Sequence, residues 1–231
     1  MNPGLQTAPG YVGSGSLSEQ RDRVLRNTYW LLALSMVPTV LGAWIGVSTG
    51  LAAAMSPGVS MVVFLVGAFG LMFAIEKTKN SAAGVPVLLG FTFFMGLMLS
   101  RIIGTVLGLA NGASLIMMAF AGTGAIFLGM ASVSTIIKRD LSAMGKWLFI
   151  GAIMLLVAGI ANFFIQSSAL MITLMVLAIG IFSAFILVDL KRVRDGEETN
   201  YITATLGVYL SLYNVFQSLL ALLGIFGGDR D

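Results

Sequence analysis

Seven long apolar runs, separated by short polar breaks, divide the chain. They lie at about 29–47, 59–75, 85–109, 113–137, 147–165, 169–190 and 201–227. Each is near the ~20 residues a helix needs to cross the hydrocarbon core of a bilayer. The break between the third and fourth runs is only Ala110-Asn111-Gly112. The pattern predicts an all-α membrane protein with seven transmembrane helices.

The seventh run is built differently from a lipid-facing helix. At 100° per residue, Thr203, Gly207, Ser211, Asn214, Ser218 and Ala221 fall on one narrow stripe of small or polar groups. Tyr209, Tyr213 and Gln217 form a second polar ridge, which leaves Ala204, Val208, Leu212, Val215, Leu219 and Leu222 as the one purely apolar arc. Lipid satisfies neither an amide nor a hydroxyl, so two of the three faces are expected against protein or a wet cavity. That places the last helix in the middle of a bundle. Its stripe serves either as packing contact or as the lining of a path. Small residues also recur every four positions in the third run (Gly96, Ser100, Gly104, Gly108) and in the first (Gly42, Gly46). These stripes are expected to permit close helix crossings.

Composition narrows the class. The chain is 58% hydrophobic and 10% charged, with mean hydropathy +0.96, a balance no soluble globular domain has. It has no cysteine and no histidine, which excludes disulfides, thiolate and imidazole metal sites, and Ser–His or HExxH chemistry. An aspartyl intramembrane protease needs two membrane-embedded aspartates, and Asp189 is the single candidate. A retinal protein needs a lysine in its last helix, which has none. The expectation is a non-enzymatic protein with no cofactor.

The net charge of +3 is topological and is no signal for nucleic acid. Arg21, Arg23 and Arg26 precede the first run; Lys77 and Lys79 lie in the second loop. Lys138, Arg139 and Lys146 lie in the fourth, and Lys191, Arg192 and Arg194 in the sixth, while the first, third and fifth loops carry no charge. The positive-inside rule then puts the N-terminus in the cytoplasm and, after seven spans, the C-terminus outside. Residues 1–20 are rich in Gly, Ser and Pro, and the apolar run that follows is too long for a cleavable signal. Residues 1–28 are therefore expected to be a flexible cytoplasmic tail, 29–227 the transmembrane domain, and 228–231 a short outer tail. Trp30, Trp44 and Trp147 lie near span ends, as interfacial anchors do.

Two ionisable groups lie within spans. Arg101 stands eight residues before the expected outer end of the third run. A guanidinium there needs a carbonyl, a water cavity or helix tilt, by snorkelling outward or by pointing into the bundle. Asp189 lies near the cytoplasmic end of the sixth run. It is either an interfacial carboxylate paired with Lys191 and Arg192, or a titratable gate whose protonation makes or breaks a contact with the last helix. Loop six, Arg194 to Asn200, lacks EF-hand spacing, and Thr199 or Asn200 suits the cap of the last helix.

Several stretches together resemble the Bax inhibitor family of transmembrane proteins, most closely its bacterial YccA-like branch. They are Val24-Leu25-Arg26-Asn27-Thr28-Tyr29, Gly70-Leu71-Met72-Phe73, Lys138-Arg139-Asp140-Leu141-Ser142, and Gly196-Glu197-Glu198-Thr199-Asn200-Tyr201-Ile202 running on to Tyr209-Leu210-Ser211-Leu212-Tyr213-Asn214-Val215-Phe216. The resemblance implies two three-helix groups wrapped around the last helix, in a bacterial inner membrane. It implies two activities: a pH-sensitive calcium leak gated by an aspartate in each of the last two helices, and, for the YccA-like branch, association with an FtsH-type membrane AAA protease as substrate and modulator. Asp189 matches the first aspartate of the pair. Ser211 stands at the second, where it cannot titrate, and Arg101 stands where related sequences tend to carry proline. Both departures weaken the calcium mechanism, since a fixed positive charge raises the barrier for cations. The expected partners are membrane lipid and an FtsH-type protease. Under the channel reading they are calcium or protons, on a path past Asp189, Tyr209, Ser211, Tyr213 and Asn214. A small transporter ranks last, because the two halves show no convincing repeat.

Overall fold

A computed structural model describes residues 14–227, with side chains from residue 18. It contains α1 (Ser14–Thr49), α2 (Leu51–Ala54), α3 (Pro57–Thr78), α4 (Gly84–Leu107), α5 (Gly112–Ile136), α6 (Ser142–Ile165), α7 (Ser168–Asp195) and α8 (Tyr201–Phe226). No strand occurs among the described residues. All but the four-residue α2 are long and apolar enough to cross a membrane. The protein is an all-α membrane protein with seven such helices.

The first helix starts well before the apolar run. Of the tail expected over 1–28, residues 14–28 are helical, while 1–13 and 228–231 lie outside the described residues. Packing explains the extension. Val24 is buried in a small cluster with Val193 and Ala204, and the buried Thr28 hydroxyl donates to the Val24 carbonyl at 2.8 Å. The fifth span likewise begins earlier than the apolar run, at Ser142, and takes in Lys146.

Close approach of α1 and α4 rests on glycine. A Cβ at Gly42 would meet the Phe93 carbonyl oxygen at 2.2 Å, and one at Gly96 would meet the Thr39 carbonyl oxygen at 2.1 Å. Gly46 sits against the Ser100 side chain. The stripe does not continue as expected. Gly104 faces open space, and Gly108 is the residue that ends α4, because the α1 contact has passed by that point.

Helix α8 contacts α1, α3, α4, α5 and α7. Around it, α4 packs on α1 and α3, and α7 packs on α5 and α6. The central position of the last helix covers more of it than its pattern suggests. Val208 and Val215, on the arc read as purely apolar, are fully buried, since α1, α4, α5 and α7 all pack on α8. The second ridge is not uniformly covered either. Tyr209 and Tyr213 are buried but Gln217 is exposed, because each step of four residues advances about 40° around a helix.

Both ends of α8 are tied to the rest of the bundle. At its start, the Asn200 side chain accepts from the Ile202 and Thr203 N–H groups at 2.9 and 3.2 Å. Its amide donates to the Lys79 carbonyl at 3.2 Å and to Asn80 Oδ1 at 2.9 Å. At its far end, the Asn111 amide donates to the Gly227 carbonyl at 2.6 Å. The first clamp joins loops at the end rich in basic residues, and the second joins α8 to the turn between α4 and α5 at the uncharged end.

Candidate functional site

Helices α7 and α8 run antiparallel and carry most of the polar groups singled out in the sequence. Asp189 is partly buried between them. Its carboxylate lies against Gly207, where an added Cβ would sit 3.0 Å from Oδ2. Among the described residues Asp189 makes no hydrogen bond and no ion pair. The expected pairing with Lys191 and Arg192 is replaced by two others. Lys191, almost fully buried, pairs with Asp195, and Arg192 lies 3.8 Å from Glu197. The helix period explains this, since Lys191 and Asp195 share a face at i,i+4 while Asp189 points elsewhere.

Arg194 fixes this end of the bundle. It pairs with Asp195 at 2.8 Å and donates to the Ser134 carbonyl and, at 3.2 Å, to the Ile137 carbonyl. These are among the carbonyls that the last turn of α5 leaves without helical partners. In the loop between α5 and α6, the Ser142 hydroxyl and N–H hold the Asp140 carboxyl below the usual carboxylate range, with contacts of 2.6 and 2.8 Å.

Ser211 is buried one turn along α8 from Gly207, a rise of about 6 Å. Asn214 continues the same stripe and donates to the Leu210 carbonyl of its own helix at 2.8 Å. Two further hydroxyls, Ser183 on α7 and Thr203 on α8, are buried without a hydrogen-bond partner. Ser183 was not singled out in the sequence, although it is the single polar side chain between Thr173 and Asp189. It lies six residues from Asp189, about 9 Å along α7, near the level of Asn214.

Tyr209 and Tyr213 do not join this seam. The Tyr209 hydroxyl lies 2.8 Å from Thr39 Oγ1, and Thr39 itself donates to the Ser35 carbonyl. This contact links α8 to α1, and the Tyr209 hydroxyl also faces the Thr92 carbonyl of α4 at 3.4 Å. Phe91 of α4 meets the Tyr209 ring edge-on at 6.0 Å, and Tyr213 stacks obliquely on Tyr209 at 6.4 Å. The five residues expected along one path thus divide between two sides of α8.

Arg101 lies apart from both groups. Its Nη1 donates to the Met55 carbonyl at 3.2 Å, in the loop after α2. Because α4 ends at Leu107, six residues rather than eight separate Arg101 from the helix end, about 9 Å. The expected carbonyl is present, but the side chain lines an open cavity of about 380 Å³ between α1, α2 and α4. Among the described residues, no cluster of three or more His, Cys, Asp or Glu could hold a metal ion.

Residues 21–228 match the family described as inhibitor of apoptosis-promoting Bax1. Curated relatives match over nearly their whole length. An uncharacterised membrane protein of Vibrio cholerae is 34% identical over 223 residues, 96% of this chain and 98% of the relative. A Pseudomonas aeruginosa protein is 37% identical over 221 residues, 95% and 97% of the two chains. A protein of Escherichia coli, named modulator of FtsH protease YccA, is 37% identical over 207 residues, 90% and 92% of the two chains.

Proposed function

The chain belongs to the Bax inhibitor family, and from that premise we propose that it is an inner-membrane protein that binds and modulates an FtsH-type membrane protease. The observation that carries this reading is the likeness, across nine-tenths of both chains, to the Escherichia coli protein named as a modulator of that protease. The basic end of the bundle faces the cytoplasm on this account. The N-terminal segment and the loop from Gly196 to Asn200 then lie on one side, open to a cytosolic partner.

Co-purification with the protease, and turnover by it, test the reading. Removing residues 2–13 leaves α1 intact from Ser14 and is expected to reduce both. Unchanged association and turnover would assign contact with the protease to another surface and remove the tail from the mechanism.

A second reading, a pH-sensitive calcium or proton leak, is favoured by one observation. The Asp189 carboxylate has no ion pair among the described residues and lies against Gly207 of α8, one turn from the unpartnered Thr203 hydroxyl. Ser211 in place of a second acid, and the positive charge of Arg101, count against it. Calcium and proton flux into proteoliposomes between about pH 5 and 8 discriminates the two. A pH-dependent flux abolished by Asp189→Asn makes the chain a channel, whereas no flux above empty liposomes leaves the protease reading.

A further inference from the structure

We propose that the cavity at the uncharged end of α4 binds a phosphate group, with Arg101 as its recognition residue. A guanidinium inside a span is costly unless its charge and its donors are satisfied. The Met55 carbonyl takes one of five N–H donors. Arg101 makes no ion pair among the described residues.

The chain supplies no described acid nearby. Glu19 and Asp22 lie at the start of α1, Glu76 near the end of α3, and Asp140, Asp189, Asp195, Glu197 and Glu198 at the same basic end. The counter-charge for Arg101 therefore comes from outside these residues.

The cavity is shaped to admit one. Gly46, Gly50, Ala53 and Gly104 line it with small or absent side chains, and a Cβ at Gly104 would touch nothing within 4 Å. The two hydroxyls in its wall are already committed as donors. Ser100 donates to the Leu97 carbonyl and Thr105 to the Arg101 carbonyl. The guanidinium is thus the main source of side-chain donors, and its planar fork suits two oxygens of one phosphate. At about 9 Å from the helix end, the site can be reached by a phospholipid headgroup from the membrane or by free phosphate from solution.

The test is thermal unfolding of the purified chain in neutral detergent at fixed ionic strength, with chloride as the reference anion. The probes are short-chain phosphatidylglycerol and inorganic phosphate. The native chain is expected to gain about 4 °C or more at saturation. Arg101→Gln abolishes the gain. Gly104→Leu, which keeps the arginine and fills the cavity, also abolishes it and covers the case in which Arg101→Gln fails to fold. A gain with the lipid alone assigns a headgroup, and an equal gain with phosphate assigns a soluble anion. No gain with either probe overturns the proposal, as does a full gain in folded Gly104→Leu. The remaining acids, Asp229 and Asp231, lie outside the described residues. A chain ending at residue 227 keeps the gain on this account, and a gain that appears only after that truncation would make those carboxylates the counter-charge and sink the idea.

Discussion

Gly207 is what lets α7 bring the Asp189 carboxylate against α8. A valine there forces that contact apart, at a cost of about 1–3 kcal/mol for overpacking, offset by only roughly 0.3–0.5 kcal/mol from replacing a helical glycine with a β-branched residue. Gly207→Val is therefore expected to lower the melting temperature. Equal or greater stability would mean that the contact is loose. Tyr209→Phe removes the hydroxyl that reaches Thr39, and with it about 1 kcal/mol. Asp140 gives a pH-dependent term. Ser142 favours its ionised form, so its contribution is complete above the ordinary carboxylate range and is lost as pH falls through the lowered folded value. The stability gap between native protein and Asp140→Ala should be present at pH 6 and close in acid. A gap that persists unchanged at the lowest pH would contradict this. At this scale the sequence identified Asp189, Arg101 and Asn200 as groups needing an explanation. It did not reveal the partners of the first two. Gly207 and Met55 meet them across the bundle, and backbone carbonyls and empty space leave no mark on residue type.

The helices themselves were legible from hydropathy because lipid allows few other structures. The break read at Ala110-Asn111-Gly112 overlaps the turn at 108–111 between α4 and α5. Two features escaped. The start of α1 is polar by composition, and only the burial of Val24 and Thr28 shows why it stays helical. The short α2 is too brief for any periodicity, yet its loop supplies the Arg101 contact. Glycine spacing was half informative, since Gly96 packs and Gly104 does not. That difference gives a paired prediction. Gly96→Ala places a methyl onto the Thr39 carbonyl and drives α1 from α4, costing about 1–3 kcal/mol. Gly90→Ala, where the Cβ meets nothing within 4 Å, gains up to about 1 kcal/mol in helix propensity. Chemical or thermal unfolding in detergent separates them, and equal responses would show that the α1–α4 crossing does not depend on Gly96.

For the whole molecule, the governing feature is a polar helix held inside the bundle and clamped at both ends by Asn200 and Asn111. The proposed function gives this clamping a use, since a bundle tied at both ends of its central helix would be hard to pull from the membrane by a protease bound to it. On the proposed function, an FtsH-type protease occupied by this bundle would be slowed on its other substrates. The most direct measurement is the rate at which an FtsH-type protease, co-reconstituted in liposomes with the full chain, degrades a second membrane substrate. The account predicts a rate at least about twofold lower than with an equal amount of an unrelated seven-helix protein, 0.4 kcal/mol or more in the apparent barrier, with the chain recovered on the protease. An unchanged rate, with the chain folded and absent from the protease fraction, would contradict it.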